Sequence, residues 1–163
     1  MRKKPELSLR ARALQYLARR EYSRAELHGK LLPHSGVTGN FGQPQPEGTR
    51  PEDLEMLLDD LTARGWLSDA RAATQLMHAK RSRFGTQRIA RELRQKGISE
   101  ELIDAALPAL KESELDTARK VWEKKFGVPP KNAGEKAKQM RFLQSRGFGF
   151  DVIFQVLRLS EES

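Results

Sequence analysis

Residues 93–107 read LRQKGISEELIDAAL, and residues 143–157 read LQSRGFGFDVIFQVL. Laid on one another they match at Leu93, Gly97, Leu102, Ile103 and Leu107 against Leu143, Gly147, Val152, Ile153 and Leu157, a spacing of 50 residues. An earlier copy lies 62 residues before the second, with Leu14, Tyr22, Leu27 and Leu31 matching Leu76, Phe84, Ile89 and Leu93. A period in this range marks units that bury apolar faces against one another. Such arrays usually serve as recognition surfaces, which turns attention from a pocket to a partner.

Between these marks the chain reads as helix. Apolar residues fall at i, i+3, i+4 and i+7, and the alternation of a strand is missing. Ser23-Arg-Ala-Glu26 and Asn132-Ala-Gly-Glu135 have capping-box form, in which the cap and the third helical residue satisfy each other's free backbone groups. Ser68, Ser99 and Ser113 precede helical runs and can cap them. Gly65, Gly97, Gly127 and Gly147 follow helical runs, where a left-handed backbone is needed. The pattern yields nine helices, near 8–20, 23–32, 51–64, 69–83, 86–96, 100–111, 113–126, 133–146 and 150–159. The fold expected is all-α, an elongated tandem array of three three-helix modules: 8–66 with an inserted loop at 33–51, then 67–111, then 113–159. In each module the first helix ends on an aromatic, Tyr22, Phe84 or Phe126, expected as a plug at the helix corner.

The 163 residues suffice for one ordinary domain or several small modules. Cysteine is absent, which excludes disulfides and thiolate metal sites and suits a reducing compartment. No apolar run approaches the roughly 20 residues of a membrane span, and no signal peptide follows the basic start. A cytoplasmic protein without membrane contact is expected.

Enzymatic chemistry finds little support. His28, His34 and His78 are the only histidines, and none stands in a His-Glu-x-x-His arrangement. The glycines from Gly36 to Gly42 are followed by no Gly-Lys-Ser/Thr and so form no phosphate cradle. Adjacent Asp59 and Asp60 point about 100° apart on a helix and do not readily share a proton. No catalytic residue, cofactor or metal is expected. The Pro33–Pro51 stretch holds four of the twelve glycines and four of the eight prolines, a composition that suits a surface loop. Its one aromatic, Phe41, is either a docking residue or simply folded back on the surface.

Charge follows the repeat. Residues 71–98 carry eight Lys/Arg against Glu92, and 119–147 carry nine against Glu123 and Glu135, so each is +7. Residues 51–70 and 99–118 are each −5. After Gly85, Ile89 and Leu93 share the inward face, while Arg88, Arg91, Arg94 and Lys96 spread a basic surface beside them. Arg81 and Arg83 precede that helix. The third module repeats the arrangement with Lys136, Lys138, Arg141 and Arg146, and Lys124 and Lys125 lead up to Phe126. A solvated charged face is one reading of these twelve side chains. A contact surface for a polyanion is the other, because arginines grip phosphate or carboxylate through two hydrogen bonds at once.

Several of these residues stand in a known order. Leu67-Ser68-Asp69-Ala-Arg71, then Arg83-Phe84-Gly85 with Ile89, Glu92, Leu93, Gly97 and Ile98, resembles the central module of the RecX family. Lys125-Phe126-Gly127, then Glu135-Lys136-Ala-Lys138-Gln-Met140-Arg141-Phe142-Leu143-Gln-Ser-Arg146-Gly147-Phe148, resembles its C-terminal module. Ala13 to Leu27 is similar to the first, and the resemblance runs over about residues 9–158. The chain departs from the family in the 33–51 insertion and in Ala72, where many members carry an aromatic. The resemblance implies a non-enzymatic regulator of the RecA recombinase in recombination and the SOS response, and a monomer is expected. It would lie in the groove of the RecA–DNA filament and limit filament extension, ATP hydrolysis, strand exchange and co-protease activity. DNA would be met directly or through the filament. The competing expectation is a general DNA-binding protein that restrains recombination by occupying DNA.

Overall fold

In the computed structural model, which describes residues 7–35 and 51–162 (side chains from 53 onward in the second stretch), the regular elements are helical throughout. They are α1 (Leu9–Arg19), α2 (Arg24–Leu31) with a 3-10 turn (Leu32–His34), α3 (Pro51–Ala63), α4 (Asp69–Lys80), α5 (Thr86–Gln95), α6 (Glu100–Lys125), α7 (Ala133–Ser145) and α8 (Phe150–Glu161). Phe41 and most of the inserted loop lie outside the described residues.

Helix starts are set by local chemistry. The Ser23 hydroxyl accepts from the Glu26 amide at 3.0 Å while the Glu26 carboxylate accepts from the Ser23 amide at 3.1 Å, a complete capping box. Ser68 and Ser99 accept from Arg71 and Leu102 in the same way. At Asn132 the box is incomplete: its side chain accepts from Glu135, but Glu135 turns to the amide of Lys131. Gly65, Gly97, Gly127 and Gly147 all hold positive φ, between 70° and 92°.

One expected boundary is absent. Residues 100–111 and 113–126 form a single 26-residue helix, and Ser113 lies inside it rather than capping a new one. Leu110, Glu114, Ala118 and Trp122 are buried in i, i+4 steps along α6, so its packed stripe runs unbroken through the expected break. Described helices therefore number eight α and one 3-10, not nine α.

The chain divides into two compact units, Met1–Ala72 with Lys96–Ile98, and Ala73–Gln95 with Ser99–Ser163. The first has a leucine core: Leu27 and Leu31 from α2, Leu54, Leu57, Leu58 and Leu61 from α3, closed by Ala13, Tyr22 and Leu67. A buried leucine contributes about 1.5–3 kcal/mol, so a few of them carry so small a unit. Its carboxylates face its cations. Arg24 reaches Glu55 and Asp59, both at 2.7 Å, and Asp60 takes Arg10 at 2.6 Å and Arg64 at 3.0 Å.

In the second unit α6 packs against α5, α7 and α8. Its core joins Ala118 and Trp122 of α6 to Leu143, Phe148, Ile153, Val156 and Leu157. Trp122 donates to the buried Gln139 side chain at 2.8 Å, and Gln139 in turn donates to the Val128 carbonyl at 3.2 Å, which fixes α7 and its preceding loop on α6.

One joint is built twice, once in each unit. Ser23, at the start of α2, donates to the Lys96 carbonyl beside Gly97. Gly85, at the start of α5, donates to the Arg146 carbonyl beside Gly147 at 2.8 Å. The sequence offsets of 62 and 50 map Ser23 onto Gly85 and Lys96 onto Arg146. The glycine turn of one repeat thus seats the second helix of the repeat before it. Of the three corner aromatics, Tyr22 is buried while Phe84 and Phe126 are half-buried.

Candidate functional site

Five basic side chains of the second unit lie over aromatic rings. Arg88 lies over the Phe84 ring at 4.0 Å, with Arg146, Lys80 and Arg83 at 5.3, 5.3 and 5.5 Å. Phe142, set edge-on to Phe126, carries Lys125 at 5.4 Å and Arg146 at 5.2 Å. A ring face attracts a cation without cancelling its charge, so these groups are positioned and still available to an anion.

Two grooves result. One, of about 320 Å³, lies between α5 and the end of α7 and is lined by Gln87, Arg88, Arg91, Glu92, Gln95 and Gln144 with Ser145 and Gly147. The other, of about 520 Å³, runs between α6 and α7 and is lined by Ser82, Arg83, Lys120, Val121, Lys124, Lys125, Phe142 and Arg146. Among the described residues no carboxylate lines the second groove. Among the described residues none of its five cations forms an ion pair.

The twelve sequence-selected side chains divide accordingly. Arg83, Lys124, Lys125 and Arg146 meet in the α6–α7 groove, and Arg88 and Arg91 in the α5 groove. Arg81 is exposed just after α4; Lys136, Lys138 and Arg141 are exposed on α7 and line neither groove. Arg94 and Lys96 are engaged by carboxylates. Arg94 meets both oxygens of Glu100 at 2.5 and 3.2 Å, and Lys96 meets Glu26 at 3.2 Å. Hydrogen bonding to Glu100 raises the Arg94 pKa further, and the same bond holds Glu100 below the ordinary carboxylate range. Arg88 also approaches Glu92 at 3.7 Å. Sequence reading passes over Lys120, which stands one turn before Lys124 on α6. Only the packing of α6 against α7 reveals it.

No group of histidines and carboxylates suited to a metal occurs among the described residues, and none of their helices is long and apolar enough to cross a membrane.

Known proteins share both the sequence and the fold. Residues 68–107 match the family profile of the RecX second three-helix domain, and residues 112–157 that of the RecX third three-helix domain. The regulatory protein RecX of Leptothrix cholodnii is 48% identical over 97% of this chain and 92% of its own length. That of Chromobacterium violaceum is 44% identical over 92% and 89%. The crystal structure of RecX from Lactobacillus salivarius superposes with a TM-score of 0.75 over 95% of this chain and 96% of that one, and at 17% identity the likeness is one of fold.

Proposed function

This chain belongs to the RecX family of regulatory proteins, and from that premise we propose that it is a non-enzymatic modulator of the RecA–DNA filament. It binds in the filament groove and limits filament extension, ATP hydrolysis, strand exchange and co-protease activity, acting as a cytoplasmic monomer. One observation supports this most. In the second unit Arg83, Lys125 and Arg146 lie over rings and form no ion pair among the described residues, whereas Arg20 and Arg64 of the first unit, also over rings, are each paired with an acidic side chain. A surface of uncompensated positive charge suits a groove that carries phosphates and acidic side chains.

The contact surface proposed is the groove-lining set: Arg83, Arg88, Arg91, Lys124, Lys125 and Arg146, with Arg81, Lys136, Lys138 and Arg141 beside it. The three-module division of the sequence supplies its periodicity. The test is RecA ATP hydrolysis on single-stranded DNA, with wild type set against an Arg88/Arg91 double alanine variant. Wild type should slow hydrolysis and the variant should not. A wild type without effect overturns the regulatory reading; a fully inhibitory variant overturns the patch alone.

A further inference from the structure

We propose that the groove between α6 and α7 grips one strand of a nucleic acid by its phosphodiester backbone, in preference to duplex and without reading bases. The proposal deepens the regulatory reading and rests on it only for where the strand is met. Arg83, Lys120, Lys124, Lys125 and Arg146 converge on a space of about 520 Å³ whose lining, among the described residues, contains no carboxylate. So dense a set of like charges in one unit stands only if a repeating anion or solvent answers it.

The spacing fits a strand. Lys120 and Lys124 are one i, i+4 pair along α6, and Val121 and Lys125 are the next. Four residues advance a helix by about 6 Å, close to the step between successive phosphates of one strand. The Ser82 hydroxyl adds an uncharged donor at the rim. Phe142 and Val121 give the groove an apolar surface against which any base or sugar can rest, the combination used by sequence-tolerant single-strand binders. Among the described residues no Asn or Gln lines it, so the bidentate amide pairing with adenine is missing there. The neighbouring α5 groove, which holds three glutamines and Glu92, is differently equipped. Stacking on Phe142 is open to an unpaired base and closed to one paired inside a duplex.

Full-length protein should be titrated with fluorescent oligo-dT, with a duplex of equal length and with polyglutamate, at several salt concentrations and with no RecA present. Wild type should prefer oligo-dT over both competitors. Each phosphate contact to a single strand contributes about 0.7 to the salt slope, so Lys120→Gln/Lys124→Gln should lower the slope by about 1.4 and the affinity at 0.1 M salt about 25-fold. In the wild-type protein, oligo-dT should also shield Lys120 and Lys124 from an amine-reactive reagent, a readout independent of how the variant folds. Absent binding, a duplex preference, equal affinity for polyglutamate, an unchanged slope in a folded variant, or unshielded lysines would each overturn the groove. None of these outcomes touches the ATPase test, which stands or falls on RecA.

Discussion

Gly85 and Gly147 lie backbone to backbone: a Cβ on Gly85 would stand 2.4 Å from both the carbonyl carbon and the carbonyl oxygen of Gly147. From the other side, a Cβ on Gly147 would stand 2.3 Å from the Cβ of Arg88, at a φ of +92°. Through this contact the start of α5 is seated on the turn between α7 and α8, which places Arg88 and Arg146 over one ring.

Gly85→Ala and Gly147→Ala should therefore each destabilise the second unit. The obstacle is mostly backbone, which cannot swing aside, and overpacking of this kind costs about 1–3 kcal/mol. Gly147→Ala adds left-handed strain of about 1–2 kcal/mol. Gly29 sits inside α2 with nothing within 4 Å of a built Cβ, so Gly29→Ala should be neutral or stabilising by up to about 1 kcal/mol. Thermal melts of the three variants check the order; equal midpoints for Gly85→Ala and Gly29→Ala would refute the close seat.

Glu114 and Thr86 give a second test of the α5 seat. The buried Glu114 carboxylate accepts from the Thr86 hydroxyl at 2.9 Å and from its amide at 3.4 Å, so a residue of α6 supplies negative charge at the start of α5. Thr86→Ala removes one partner and leaves a buried carboxylate short of donors, a loss of about 1–3 kcal/mol. Thr86→Ser keeps the hydroxyl and should lose less than half as much. Urea unfolding of the pair measures the difference.

Helix ends are legible in this sequence because their causes are local: Ser23, Ser99 and the four turn glycines act within a few residues of themselves. The fused α6 is not legible. Glu112, Ser113 and Glu114 look like a helix start, and Glu114 puts a charge into the apolar stripe at the position that would reveal continuity. Its partner, Thr86, is 28 residues away. The site is legible as a region of charge but not side chain by side chain. Lys96 finds Glu26 across 70 residues, so a charge count over 71–98 treats it as unbalanced. Lys120 belongs to the groove only because α6 packs beside α7.

Acid should weaken the first unit through Glu26. Burial pushes its carboxyl up, but hydrogen bonds from Arg20, the Ser23 amide and Lys96 outweigh this and hold it below the ordinary range. A carboxylate depressed in the folded state stabilises fully above its unfolded pKa, near 4.3–4.5, and that contribution is lost as pH falls through the folded value. Wild-type stability should drop between about pH 5 and pH 3. Glu26→Gln should start about 1 kcal/mol lower at pH 7 and fall less over the same interval. Parallel decline of the two proteins would remove Glu26 from the acid response.

The unpaired and carboxylate-held cations should separate in a filament assay. Arg91 and Lys124 are exposed, line the two grooves and form no ion pair among the described residues, so replacing either removes charge that faces a partner. Arg94 is different, because both of its hydrogen bonds already go to Glu100 and a partner phosphate would have to displace that carboxylate. The readout is the protein concentration needed to halve RecA ATP hydrolysis at 0.1 M salt. Arg91→Ala and Lys124→Ala should each raise it about 5-fold, one contact's worth on the single-strand scale. Arg94→Ala should raise it less than about 2-fold, since it removes a charge that makes no such contact. Circular dichroism of each variant confirms that the helices are intact, so that a loss of inhibition reports on contact rather than on folding. Equal losses in all three would mean that the number of cations alone governs binding, and the distinction between the two classes would then fall.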